Sequence, residues 1–208
     1  MSAHTIQLLP GDIAACYGRD LLSRTITWCT SSLLAPCGLR WGPSHVAIMA
    51  EQTGEPLWIE STTQSSRPCR IHGRIIAGVQ AHTPADRIND YVLSGGRIDI
   101  YRLVEIESLS RTESQLLSRI LFDHFLRTPI PYDIRGALLS GTRVFQLTRM
   151  LPRADLQQLF CSELVAAVLM RLGRLPRENP TRFNPARLIR TLVRHGTVRV
   201  QYSWSRER

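Results

Sequence analysis

Two apolar runs, residues 45–50 and 57–61, are separated only by the connector Glu-Gln-Thr-Gly-Glu-Pro. So short a glycine-containing link makes the two runs fold back on each other as an antiparallel hairpin. With the turn centred between Gln52 and Thr53, His45 falls directly opposite Glu60. Cross-strand partners share one face of the sheet, with Cβ atoms about 4.5–5.5 Å apart. A slip of one residue would send the two side chains to opposite faces. A carboxylate beside an imidazole fixes its tautomer and raises its basicity, leaving the other ring nitrogen free to take a proton.

The remaining pattern supplies helices on which this hairpin can pack. Residues 13–17 read as a short strand after the Pro10-Gly11-Asp12 turn, with Asp12 a turn-former. Residues 20–30 read as a helix with Asp20 as N-cap, and 31–43 as a loop rich in Ser, Pro and Gly. Residues 62–97, punctuated by Pro68, Gly73, Gly78, Pro84 and Gly95-Gly96, read as loops with a short helix at 85–93. Residues 97–103 alternate as a strand. Ser110 and Glu113 form a capping box for a helix to about residue 127, with Leu116, Leu117, Ile120, Leu121 and Phe125 on one face. Residues 128–133 hold two prolines and are expected to be extended; 135–150 read as helical. Asn184-Pro185 opens a further helix ending near Gly196, and 197–202 alternate as a last strand. Strands first, then helices, then a closing helix and strand imply a single α+β domain, with a mostly antiparallel sheet against helices.

Phe160-Cys161 opens the run FCSELVAAVLMRLG. Leu164, Val165, Val168, Leu169 and Leu172 recur at helical spacing, and Gly173 supplies a stop. Cys161 therefore stands in the first turn of an amphipathic helix. There the unpaired N–H groups and the positive dipole end favour a thiolate. A nucleophile on a helix N-terminus, with a base and an orienting carboxylate on neighbouring strands, is the cysteine-peptidase arrangement. It is defined by roles rather than chain order. The oxyanion site would come from the Cys161 N–H and a side-chain donor, for which Tyr17 and Tyr132 are the candidates.

At 208 residues, one domain with a sizeable core is expected. No apolar run is long enough to cross a bilayer and no signal peptide is visible, so the chain reads as cytoplasmic. The five cysteines (16, 29, 37, 69 and 161) show no CxxC pair and no zinc spacing, which argues for free thiols and against a metal site. His72, His82, His124 and His195 lack ligand spacing and are expected at the surface. No cofactor motif is present; Gly95-Gly96 is a turn. The net charge is +9, and every basic residue is arginine. Arg187, Arg190 and Arg194 form a basic stripe, by default a solvated helix face, with an anionic surface as the alternative. Neither zinc-finger spacing nor an aromatic RNA-binding strand supports nucleic acid.

The motifs PGDI (10–13), SHVAI (44–48), WIEST (58–62), PYD (131–133), FCSELV (160–165) and NPARL (184–188) together resemble the circularly permuted NlpC/P60 group of papain-like proteins. Its YiiX/YebB-like (YaeF-type) branch fits best. In that group the histidine strand precedes the cysteine helix, as His45 precedes Cys161 here. The resemblance spans residues 10–188 and implies a papain-like fold and a thiol hydrolase or acyltransferase using Cys161, His45 and Glu60. Segment 62–97 lies outside the matched motifs, a variable insertion suited to shaping substrate choice. Substrate does not transfer with the fold. Three functions remain open: cleavage of an amide or isopeptide bond in a peptide or modified protein, action on an acyl lipid, or binding without catalysis.

Overall fold

The computed structural model describes residues 7–32, 35–63, 65–127 and 160–206. Six strands form one antiparallel sheet, in the spatial order β4-β3-β2-β1-β5-β6. In chain order these are β1 (Ile13–Tyr17), β2 (His45–Gln52), β3 (Glu55–Thr62), β4 (Gly78–His82), β5 (Arg97–Leu103) and β6 (Val198–Ser205). The helices are α1 (Leu21–Cys29), α2 (Pro84–Leu93), α3 (Arg111–Arg119), α4 (Cys161–Arg171) and α5 (Pro185–Arg194), and α3 continues as a π-helical stretch, Ile120–Leu126. The α+β expectation holds. The sequence-based extended segment 128–133 and helix 135–150 lie outside the described residues.

The sheet is covered on both faces, and side-chain alternation sorts the strands accordingly. On one face Ile13, Ala15, Val46, Ile48 and Ile59 pack with Leu117 and Leu121 of the α3 arm and Leu164, Val165, Val168 and Leu169 of α4. On the other, Ala14, Cys16, Ala47, Met49, Trp58, Ile98 and Ile100 pack with Ile88 and Tyr91 of α2. From Cys161 to Met170 every residue of α4 is buried, so its helicity follows from packing more than from an exposed amphipathic stripe.

Local signals explain most boundaries. The Asp20 carboxylate accepts from Ser23 N at 2.8 Å to open α1. Ser110 and Glu113 close a reciprocal capping box on α3, and Asn184 accepts from Arg187 N at 2.8 Å ahead of Pro185. Asp12 shapes its turn by accepting from Leu9 N, and it also pairs with Arg102 across to β5.

Two expectations need correction. The hairpin turns on Thr53-Gly54, both at positive φ, so Gln52 faces Glu55 and Ile48 faces Ile59. Extending that ladder places Glu60 level with Ala47, diagonal to His45 and not directly opposite it. The displacement is two residues, an even number, so both side chains keep the same face. The second correction concerns residues 78–82, read as loop. They form β4, the strand at the end of the sheet beside β3. Gly78 and its polar neighbours Gln80 and His82 mask a strand whose side chains serve a buried polar cluster.

Candidate functional site

His45 begins β2, where the chain enters the sheet, and Glu60 lies near the end of β3. His45 Nε2 and Glu60 Oε2 are 2.7 Å apart, with side-chain exposures of 12% and 0%. The Cys161 sulfur lies near enough to the ring to raise its basicity, and with Nε2 committed to Glu60, Nδ1 is the nitrogen left for the sulfur. Cys161 is buried at the first position of α4. The Phe160 N–H ahead of it donates to Glu163 Oε2 at 2.9 Å, and Ser162 Oγ donates to Phe183 O at 2.5 Å. The first contact caps the helix start, and the second holds it against the segment leading into α5. The three residues singled out in the sequence therefore converge, with the His45 ring bridging the layer of α4 and the layer of Glu60.

The charges are ordered around Glu60. Burial opposes its ionisation, but the Arg87 guanidinium first, and His45 next, hold its carboxyl well below the usual carboxylate range. Arg87, on α2, places Nη2 3.2 Å from Oε2. Its Nε lies 2.6 Å from Oε1, an ion pair that is not aligned as a hydrogen bond. Burial likewise opposes a charge on His45, yet the Cys161 sulfur and then Glu60 outweigh it and lift the ring to about 10. The site thus favours an imidazolium at neutral pH.

A second polar layer surrounds this core. His82 is buried, contrary to its expected surface position; its Nε2 is 2.9 Å from Gln80 Oε1 and 3.8 Å from Glu60 Oε1. Burial lowers its basicity, outweighing the nearby carboxylate. Cys16, the ladder partner of His45, is buried beside Glu60, and burial pushes its thiol up.

The other candidates are placed differently. Tyr17 ends β1 on the α4 face, and its ring lies 4.0 Å from the Arg97 guanidinium. Its buried hydroxyl meets no hydrogen-bond geometry with Arg97 or Tyr101 beside it. Tyr132 lies outside the described residues. In the basic stripe, Arg190 donates to Thr30 O at 2.7 Å and to Leu39 O at 3.4 Å, Arg187 lies over Phe183, and Arg194 is exposed. Cys16, Cys29, Cys69 and Cys161 are free thiols, and of these only Cys29 is exposed.

Arg87 is the residue that motif reading missed. A lone arginine in an Asp-Arg-Ile-Asn-Asp helix carries no catalytic spacing. The one available signal was its apolar-face position, with Ile88 and Tyr91 flanking it.

A six-stranded antiparallel sheet packed against helices, with one helix presenting its N-terminus to the sheet's end, defines a YiiX-like papain-like α+β fold. The chain is similar to the crystal structure of the metalloprotein YiiX from Escherichia coli O157:H7, a DUF1105 protein. The TM-score is 0.54 and the identity 16%, over 97% of this chain and 99% of that one. At this identity the likeness is one of fold. No family model and no curated protein matches the sequence. Among the described residues, no group of three or more His, Cys, Asp or Glu side chains is arranged to hold a metal ion. Beside Glu60 the place a cation would take is filled by the Arg87 guanidinium.

Proposed function

We propose that this chain is a cysteine hydrolase of the circularly permuted NlpC/P60 type, cleaving an amide or isopeptide bond through a thioester on Cys161. The observation that carries the reading is the 2.7 Å His45–Glu60 contact on an imidazole whose basicity the nearby Cys161 sulfur raises. An imidazolium beside the sulfur is a counter-ion for a thiolate. The thiol proton passes to His45, and the sulfur attacks the carbonyl carbon of the substrate. The tetrahedral oxyanion collects on the Cys161 N–H at the start of α4. Collapse breaks the C–N bond, and His45 gives its proton to the departing amine. His45 then takes a proton from water, which attacks the thioester; the acid leaves and the thiol is restored. Glu60 orients the ring and stabilises its charged form throughout.

The test is alkylation by iodoacetamide at pH 7, read residue by residue by mass spectrometry. Cys161 is expected to react faster than the exposed Cys29 despite its burial, and His45→Ala should slow it by roughly a hundredfold, the scale of a lost general base. A Cys161 no more reactive than Cys29, or indifferent to His45→Ala, would sink the proposal.

A lipid acyl substrate is the second reading, favoured by one surface feature. Leu21, Trp28 and Trp41 are 82%, 71% and 58% exposed, and they sit on the α1 lobe between β1 and His45. Such amphipathic rings suit a membrane interface. Flotation with anionic vesicles at low salt discriminates: absence of binding leaves the peptide or protein amide as substrate.

A further inference from the structure

Glu60 can serve His45 only if its carboxylate stays ionised and keeps one oxygen turned toward the imidazole. It is fully buried, and a solitary buried carboxylate takes up a proton in preference to staying charged. The groups that face it come from five elements. They are His45 of β2, Cys16 of β1, His82 of β4, Arg87 and Tyr91 of α2, and Cys161 of α4 acting through His45. Of these, only Arg87 carries a permanent positive charge. His45 loses its charge in every proton transfer, and the basicity of His82 is lowered by its burial.

Arg87 is itself anchored from outside. Its Nη1 lies 3.2 Å from Asp90 Oδ2, and Asp90 receives both Arg67 Nε and Nη2 at 2.8 Å. Arg67 also pairs with Asp86 at 3.2 Å. A chain of alternating charge thus runs Arg67, Asp90, Arg87, Glu60, His45, from the outer side of α2 to the ring beside Cys161.

We propose that Arg87 is a positioning residue of the site: it holds Glu60 through the ion pair at Oε1 and the hydrogen bond at Oε2, so that the carboxylate remains a charged acceptor for His45 during turnover. The role rests on the hydrolase reading for its purpose, although the clamp itself can be read without any substrate. Helix α2 is then part of the site's machinery, and segment 62–97 acts on the chemistry as well as on substrate choice.

The test is a double-mutant cycle on the full chain with two readouts: the His45 ring titration by NMR in a Cys161→Ser background, and the pH profile of Cys161 alkylation in the native-thiol background. Losing Arg87 lets the buried carboxyl take up a proton more readily, so Arg87→Met should lower the His45 midpoint by about one pH unit, a tenfold change in proton affinity. The same variant should bring in an acid-side loss of Cys161 alkylation. Glu60→Gln should produce the full loss at every pH, and adding Arg87→Met to it should change nothing more. A merely structural arginine would instead lower the melting temperature, leave the His45 midpoint in place, and multiply with Glu60→Gln. Either of the last two results overturns the proposal.

Should Arg87→Met fail to fold, Arg87→Ala with added guanidinium replaces it. An open cleft of about 680 Å³ on the outer side is lined by Arg87, Asp90, Tyr91, Arg19 and Asp20, which gives the small cation a way in. Recovery of the His45 midpoint by guanidinium but not by equal sodium is expected, and equal recovery by both refutes the clamp. The hydrolase reading fails separately: Cys161 can prove unreactive in the unsubstituted protein while the His45 titration still responds to Arg87.

Discussion

Glu60 and His45 illustrate how far single residues govern this molecule. The Glu60 carboxyl is depressed in the fold, so its contribution is fully present above the unfolded value of about 4.3 and is lost as pH falls below it. The His45 ring is raised, so its contribution is full below about 6.5 and drains away as pH rises toward 10. A stability plateau between about pH 4.5 and 6.5 is therefore expected from this pair. In melting curves across pH, His45→Gln should flatten the alkaline decline, and an unchanged alkaline limb would remove His45 as its source. Three of the residues that meet here were legible because each had a local signature: a cysteine at a helix start, and a histidine and a glutamate on paired strands. Arg87 and His82 had none. Their partners are distant in sequence, and a buried charge advertises itself only once its counter-charge is placed.

At the scale of the element, the hairpin shows what turn chemistry decides. Thr53 sits at φ 52° ahead of Gly54 at φ 84°, the doubly left-handed form that two-residue hairpins favour and that suits Asn-Gly. A β-branched residue is strained there. Thr53→Asn should stabilise the protein by about 0.5–1 kcal/mol, measured as a rise in denaturation midpoint with unchanged slope. No gain would mean that the strain is relieved elsewhere. Because Thr is a poor marker for this turn, the sequence-based register lay two residues away, while alternation of apolar side chains still set the correct face. Cap residues were more legible, since each acts within three residues of itself. The Asn184 carboxamide opens α5, and Asn184→Ala should cost about 1 kcal/mol of stability. β4 was hidden for the opposite reason: its polar side chains answer to Glu60 across the sheet, not to a local pattern.

The whole molecule joins two layers through one sheet, and the site draws on both. Cys161 belongs to the α4 layer, whereas Glu60 and Arg87 belong to the α2 layer. His45 bridges them at the sheet's end, so the layers cannot melt independently without parting His45 from Cys161. Leu169, fully buried on α4, and Ile100, fully buried under α2, probe the two sides. Truncation of either to Ala should cost about 2–5 kcal/mol through lost burial and the cavity left behind. Trp58 is buried in the α2 layer, so a variant with Trp28, Trp41 and Trp204 replaced by Phe reports on that layer by fluorescence. Far-ultraviolet circular dichroism meanwhile follows all the helices. In urea, the two signals should lose structure at the same midpoint in this variant, and should move together when Leu169→Ala is added on the opposite face. If Leu169→Ala shifts the dichroism while the Trp58 signal stays where it was, the layers unfold separately. The site would then be a contact between two semi-independent halves, and His45 would meet Cys161 only after each half had folded.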